Sequence, residues 1–107
     1  MTDEIVLVEC DGHIANVTLN RPAVHNAFDE AMIARLAEIW DELAGRDDIR
    51  AVVLRGNGKS FSAGADLNWM KKAADYSEEE NRADAMKLAD MLYKLYSLPQ
   101  LTIACVF

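Results

Sequence analysis

The sequence predicts an α/β fold, and two observations support this class. Short runs of apolar, β-branched residues alternate with longer segments whose apolar residues recur at helical spacing, and this order is typical of α/β proteins. Of the 107 residues, 51% are hydrophobic and 27% are charged, a composition that excludes intrinsic disorder. No repeat or linker interrupts the order, so residues 1–107 are predicted to belong to one domain.

The first predicted element is a β-hairpin. A β-branched run at 5–10 is followed by Asp11-Gly12, a dipeptide typical of two-residue hairpin turns. The return strand covers 13–19. Pro22 then ends the strand pair, because proline has no N–H to donate.

A long amphipathic helix is predicted next, over residues 27–44. Asn26 is the expected N-cap, and Gly45 is expected to end the helix in a left-handed conformation. Apolar residues at helical spacing form one stripe along it, which predicts the face that packs on the sheet. These residues are Phe28, Met32, Ile33, Leu36, Ile39, Trp40 and Leu43.

The second half of the chain repeats the alternation. The run at 51–55 predicts a buried strand, parallel to its neighbours. A short helix is predicted over 66–74, and the capping box at 77–80 opens a longer helix that ends near Ser97. Another apolar run at 101–107 predicts a second buried strand. The inner face of the longer helix is predicted to consist of Ala83, Met86, Ala89, Leu92, Tyr93 and Tyr96.

The charge balance excludes two classes of partner. With 11 Lys and Arg against 18 Asp and Glu, the net charge is −7, which disfavours binding to nucleic acid or to an anionic membrane surface. No apolar run is long enough to span a bilayer. The first residues carry acids where a secretory signal carries Lys or Arg. We therefore predict a soluble, cytoplasmic protein.

The cysteines and histidines predict no metal centre and no disulfide. Cys10 and Cys105 lie in apolar runs without CxxC spacing, so they are expected to be buried free thiols. His13 and His25 are twelve residues apart and lack the i, i+4 spacing of a helical metal pair.

The glycine-rich loop does not fit a phosphate-binding motif. For Gly58-Lys59-Ser60 to end a Walker A loop, glycine would be needed where Val53 stands. A dinucleotide-binding fingerprint would need glycine in place of Phe61. The loop is therefore interpreted as a turn.

Residues 61–67 are the strongest candidate for chemistry. The small residues Ala63, Gly64 and Ala65 allow another molecule to approach the backbone closely. If a helix begins near Asp66, the Ala65 N–H lacks a partner and could stabilise a thioester oxygen that becomes an enolate. From the residues alone, a simple strand-to-helix turn capped by Asp66 is the favoured interpretation.

Taken together, three motifs resemble the enoyl-CoA hydratase/isomerase (crotonase) family. They are Asn-Arg-Pro at 20–22 followed by Asn-Ala-Phe at 26–28, Ala-Val-Val-Leu-Arg-Gly at 51–56, and Phe-Ser-Ala-Gly-Ala-Asp-Leu at 61–67. The continuation at 67–70, with 76–81 after it, resembles the methylglutaconyl-CoA hydratase branch. The resemblance covers the N-terminal portion of the family's usual length, so the chain is expected to be truncated.

The resemblance implies a crotonase-like fold of repeated ββα units that form a spiral core, present here as an incomplete N-terminal part. It also implies that two backbone N–H groups hold the thioester oxygen, and the first of them belongs to Ala65. Ala23 stands where the family usually has a basic residue, so no charge contact with the CoA phosphates is expected from it. The implied substrate-binding residues are Ala23, Val24, His25, Ala63, Gly64, Ala65, Asp66, Leu67 and Asn68.

The function implied by the resemblance is that of a lyase that hydrates 2-enoyl-CoA thioesters in fatty acid or leucine degradation. No cofactor is expected, since CoA is part of the substrate. The family's second oxyanion donor and its acid–base glutamates would follow Phe107, so they are absent and the chain alone is expected to be inactive. The alternatives are a non-catalytic fragment that at most binds CoA, and an isomerase of the same family. A homotrimer or hexamer is expected only of a full-length relative.

Overall fold

A computed structural model describes residues 4–106 and shows a four-stranded sheet covered by helices. The strands are β1 (Val6–Asp11), β2 (Ile14–Leu19), β3 (Ala51–Gly56) and β4 (Leu101–Ala104), and they lie in the sheet in that order. The helices are α1 (Glu30–Ala44), α2 (Leu67–Ala73) and α3 (Glu78–Tyr96), with a 3₁₀ turn at Pro22–Val24. This architecture confirms the predicted α/β class.

Strands β1 and β2 form the predicted hairpin, with a small shift of its turn. The strands are antiparallel, and Asp11 still pairs with Ile14. The two turn residues are therefore Gly12 and His13, one position later than predicted. Gly12 has a φ of 61°, a left-handed conformation that glycine adopts without steric cost.

The other strand pairs are parallel, as predicted for 51–55. Strand β3 lies parallel to β2, and β4 lies parallel to β3. Parallel neighbours need crossover connections, which are provided by α1 and by the segment that contains α2 and α3.

The apolar stripe of α1 forms a large part of the core, as predicted. Its buried residues are Met32, Ile33, Leu36, Ile39, Trp40 and Leu43. They belong to one cluster with Val17, Leu19 and Val52 of the sheet. Phe28, the first residue of the predicted stripe, precedes the helix and is only partly buried.

The predicted start of α1 was wrong, whereas its predicted end at Ala44 is confirmed. The helix begins at Glu30, and the N-cap is Asp29, whose carboxylate accepts a 2.9 Å hydrogen bond from the Met32 N–H. Asn26 has a φ of 56°, and its side chain bonds to neighbouring loops instead. Gly45 ends the helix at a φ of −88°, so the stop does not use a left-handed residue.

The predicted inner face of α3 was also wrong. Met91 is buried, and Leu88 and Leu95 pack against the core beside it. Tyr93 is exposed, and Tyr96 is 86% exposed. Two rows of α3 carry apolar residues at helical spacing, and only packing against α1 determines which row faces inward. The predicted capping box, in contrast, is present at Ser77 and Glu80.

The edges of the sheet explain two further corrections. Strand β4 was predicted to be buried, but Leu101 is 66% exposed and all of β4 is exposed, because β4 is an edge strand of this sheet. Cys10 and Cys105 were predicted to be buried, and both are exposed. Cys10 lies near the end of the other edge strand, β1, and Cys105 follows β4. Phe107, the last residue of the predicted strand, lies outside the described residues.

Within residues 4–106, no helix is long and apolar enough to cross a membrane.

Candidate functional site

A single parallel β-bridge joins Phe28 to Ala65. The Phe28 N–H donates to the Gly64 carbonyl at 2.6 Å, and the Asp66 N–H donates to the Phe28 carbonyl at 2.7 Å. In such a bridge, the residue between the two bonded positions directs its own N–H and C=O to the opposite side. The Ala65 N–H therefore faces away from Phe28, and it has no hydrogen-bond acceptor among residues 4–106.

A cavity of about 540 Å³ lies beside this N–H. Seven of the nine predicted substrate-binding residues line it, while Ala23 and Gly64 do not. Lys71 and Ala27 also line it and were not predicted. The full lining consists of Val24, His25, Ala27, Ala63, Ala65, Asp66, Leu67, Asn68 and Lys71.

Gly64 shapes the loop without lining the cavity. Its φ is 89°, a value that side chains on L residues rarely adopt. An added Cβ would meet no atom within 4 Å, so the backbone conformation, not a lack of space, requires glycine here. This conformation places the Gly64 carbonyl where it accepts the Phe28 N–H.

Asn26 ties the loops around the cavity together. Its Nδ2 donates to the carbonyls of Asn57 and Ser60 at 2.9 and 2.8 Å, and its Oδ1 accepts from the Arg21 N–H at 2.7 Å. Its own carbonyl accepts from the Ser62 hydroxyl at 2.9 Å. The residue is fully buried, so its polar groups need these partners.

His25 lies at the cavity wall in a left-handed conformation, with a φ of 54°. Its carbonyl accepts a hydrogen bond from the Ala63 N–H at 2.9 Å, and its Nδ1 lies 3.3 Å from the Ser60 hydroxyl. Both contacts join the segment after Pro22 to residues 60–63, so the two predicted substrate-contact regions lie side by side.

Asp66 is the N-cap of α2 and is largely buried. One carboxylate oxygen accepts from the Trp69 N–H at 3.0 Å, and the other accepts from the Arg21 guanidinium at 3.1 Å. The Trp69 N–H, followed by Arg21, lowers the pKa of Asp66 against the opposing effect of burial. Asp66 is therefore charged at neutral pH, and with both oxygens engaged it is not placed to act as a general base.

The geometry of residues 61–67 is compatible with both interpretations, a capped turn and a backbone donor. Asp66 caps α2 as a simple turn requires, and the Ala65 N–H still takes no acceptor among the described residues. Because the Asp66 carboxylate already occupies the start of α2, the helix dipole adds little positive potential there.

Lys71 supplies the positive charge at the cavity. It is exposed and forms no ion pair within the part of the chain that the structure describes. The adjacent Lys72 is paired with Glu30 at 3.3 Å. The spacing could have identified Lys71 from the sequence, since it lies four residues after Leu67 on the same helical face.

Neither a glutamate nor a metal-binding cluster is found at the described cavity. No glutamate lines it. Among residues 4–106, no group of three His, Cys, Asp or Glu side chains is placed to hold a metal ion. What the described cavity provides is the Ala65 backbone donor, apolar walls, one lysine and the polar side chains of His25, Asp66 and Asn68.

Comparison with known proteins identifies the family. The sequence model of the enoyl-CoA hydratase/isomerase family matches residues 9–107. The chain belongs to this family. Its fold agrees, because the crystal structure of an enoyl-CoA hydratase from Shewanella pealeana superimposes with a TM-score of 0.93 at 38% identity, over 97% of this chain and 39% of that one.

Individual relatives support the same family. A protein from Thermus thermophilus is 38% identical over 95 residues, which is 89% of this chain and 38% of the relative. The (E)-benzylidenesuccinyl-CoA hydratase of Thauera aromatica is 46% identical over 63 residues, 58% of this chain and 25% of that enzyme. The chain thus spans about two fifths of the length of the relatives that match nearly all of it.

Proposed function

We propose that this chain carries part of the thioester site of an enoyl-CoA hydratase, a lyase that adds water across the double bond of a 2-enoyl-CoA. One observation carries the proposal. The Ala65 N–H, which has no acceptor among residues 4–106, lies beside a cavity lined by seven of the nine residues that the family resemblance implies for substrate binding.

The chemistry of hydration needs such a donor. When water adds to the β-carbon, negative charge develops on the thioester oxygen. A backbone N–H that is already in place stabilises this charge without reorganisation. The Ala65 N–H would be one such donor, and the small side chains of Ala63 and Ala65 would let the thioester approach it.

Acid–base chemistry is the second requirement of the reaction. Hydration also requires a proton to be removed from water and another to be delivered to the α-carbon. No glutamate lines the described cavity, so residues 4–106 supply binding and one oxyanion donor. We therefore expect residues 1–107, assayed by themselves, to be inactive.

For the acyl group we propose methylglutaconyl-CoA, on the basis of the residues at 67–70 and 76–81. This substrate carries a free carboxylate at the far end of its acyl group, which crotonyl-CoA lacks. A panel containing crotonyl-CoA and methylglutaconyl-CoA tests the choice: methylglutaconyl-CoA should have the higher kcat/KM. A higher value for crotonyl-CoA would remove this assignment while leaving the hydratase activity intact.

The oxyanion role is tested in the protein expressed from its complete natural coding sequence. Replacing Ala65→Pro removes the N–H, and within residues 4–106 this N–H makes no bond that the fold would lose. We expect kcat for hydration to fall about 100-fold or more. Ala65→Ser retains the N–H and should remain close to wild type. Circular dichroism confirms that both variants are folded.

Each outcome of this assay has a distinct meaning. Unchanged turnover by Ala65→Pro would remove Ala65 from the oxyanion hole. If the wild type binds CoA but hydrates no enoyl-CoA, the alternative of a CoA-binding protein replaces the hydratase, as the lack of a glutamate in the described cavity would allow. Conversion of a 3-enoyl-CoA to a 2-enoyl-CoA without hydration would identify an isomerase.

The cytoplasmic location and a homotrimer or hexamer for the full-length relative both stay predictions. Cell fractionation and sedimentation of the complete protein test them.

A further inference from the structure

Arg21 connects the two segments that meet at Ala65. Its guanidinium donates to the Ala27 carbonyl and, at 3.1 Å, to the Asp66 carboxylate. Ala27 directly precedes Phe28, and Asp66 directly follows Ala65. One side chain therefore joins the neighbours of both bridge residues.

The backbone of Arg21 is held as firmly as its side chain. Its N–H donates to the Asn26 amide oxygen, and its carbonyl accepts from the N–H groups of Asn26 and Val24 at 2.8 and 3.1 Å. These bonds fix the position of the Arg21 backbone within the loop that Asn26 also holds.

The ion pair is largely shielded from solvent. The side chains of Arg21 and Asp66 are 20% and 9% exposed, and Asp29 lies 3.5 Å from the same guanidinium. Solvent screens such a pair less than an exposed one. A planar guanidinium can also reach a carbonyl and a carboxylate in two directions at once, which a lysine ammonium does less well.

We propose that Arg21 is a positioning residue, which sets the Ala65 N–H by joining Ala27 to Asp66 without touching the substrate. The inference rests on the proposed function. Arg21 is not among the residues that line the cavity, so its effect on the reaction passes through the residues that it binds, of which Asp66 directly follows Ala65. Replacement would remove the side-chain link between Ala27 and Asp66 and leave the backbone hydrogen bonds of the bridge, together with the bonds that join residues 60–63 to His25 and Asn26.

The expected signature is a loss of kcat with little change in KM. A misplacement of about 1 Å at a reacting group can cost roughly 100-fold in rate, so for Arg21→Lys we expect a fall in kcat of about 10- to 100-fold. The control is Arg35→Met on α1, which removes an exposed arginine paired with Glu38 and should leave kcat unchanged.

A double-mutant cycle separates positioning from general stability. It compares Arg21→Lys in the wild type and in Ala65→Pro, using the complete natural protein and crotonyl-CoA. If Arg21 acts through the Ala65 N–H, its replacement should have almost no effect on kcat once that N–H is gone. An equal loss of kcat in both backgrounds would overturn the inference.

A readout without turnover keeps the inference testable on its own. In ¹⁵N–¹H spectra, Arg21→Lys should shift the Ala65 and Asp66 amide signals more than those of α1. Unchanged signals for both amides would overturn the positioning role whether or not the protein is active. If Arg21→Lys shifts both amide signals as expected but the wild type hydrates no enoyl-CoA, the proposed function is overturned instead.

A second variant covers the case in which Arg21→Lys does not fold. Asp66→Asn keeps an oxygen for the Trp69 N–H but removes the charge that Arg21 binds. It should lower kcat in the wild type and have little effect in Ala65→Pro. An unchanged kcat in a folded Asp66→Asn variant would contradict the proposed link.

Discussion

The buried side chain of Asn26 holds the loops around the cavity together. It is fully buried and left-handed, and its side chain binds three backbone groups. Replacing Asn26→Ala leaves these backbone groups without their partner. It also places alanine in a left-handed conformation, which is strained for a residue that has a Cβ but no side-chain amide to form local hydrogen bonds. We expect the free energy of unfolding to fall by about 2–3 kcal/mol, measured by urea denaturation.

Asn26→Gly is the matched control. It loses the same hydrogen bonds, but glycine accepts the left-handed conformation without strain. It should therefore be less destabilised than Asn26→Ala by about 1 kcal/mol. Equal stability of the two variants would show that backbone strain contributes nothing here.

At the residue scale, the sequence identified most of the cavity wall but not the residues that hold it together. Small residues at 63–65 and the family motifs indicated Ala65 and Asp66. Asn26 was predicted to be an N-cap, because asparagine before an apolar stripe is a common helix start. Its actual role depends on contacts with Asn57 and Ser60, more than thirty residues later, which no local pattern encodes.

At the scale of elements, α2 presents two adjacent lysines in different environments. Lys71 lines the cavity, whereas Lys72 is bound to Glu30 of α1. Replacing Lys71→Met should weaken CoA binding about two- to fivefold, as expected for one exposed charge contact. Lys72→Met makes the same change in charge and should leave CoA affinity nearly unaltered, as measured by calorimetry.

Salt and a modified ligand refine this test. The effect of Lys71→Met should shrink at high ionic strength, because salt screens exposed charge contacts. If the effect also disappears with dephospho-CoA, the 3′-phosphate is the group that Lys71 contacts. If the effect persists with dephospho-CoA, Lys71 contacts the diphosphate. Equal weakening by Lys71→Met and Lys72→Met would rule out a specific contact.

Helices α1 and α3 show when an apolar pattern suffices to predict packing. Helix α1 has one apolar stripe, and all of the predicted stripe residues that lie in the helix are buried. Helix α3 has two, one through Leu88, Met91 and Leu95 and the other through Met86, Tyr93 and Tyr96. Apolar periodicity does not distinguish the two faces, and the predicted inner face is the exposed one.

The molecule as a whole combines strong negative charge with exposed apolar side chains. Its net charge is −7 and its pI is about 4.7. Tyr93 and Tyr96 of α3 and Ile103 of β4 are exposed. Mutual repulsion keeps such molecules apart at neutral pH and vanishes where the net charge is zero.

We therefore expect association of residues 1–107 to peak near pH 4.7. Lowering the pH from neutrality protonates carboxylates and brings the net charge from −7 toward zero, and still lower pH makes it positive and restores repulsion. Light scattering during a pH titration measures this. Tyr96→Glu should reduce the scattering at its peak more than Ser97→Glu, which introduces the same carboxyl group without removing an apolar side chain. Equal effects would mean that charge alone controls association.

The sequence by itself determined the order and type of the elements, the core face of α1, the family and most of the cavity wall. These features depend on local periodicity, capping and short motifs, each of which involves residues that are close together in the sequence. Only the tertiary structure decided which face of α3 is buried, that β4 and both cysteines lie at exposed edges, and that Arg21 and Asn26 organise the loops around Ala65. These features arise from contacts between distant segments, whose geometry is set only when the sheet and helices have assembled.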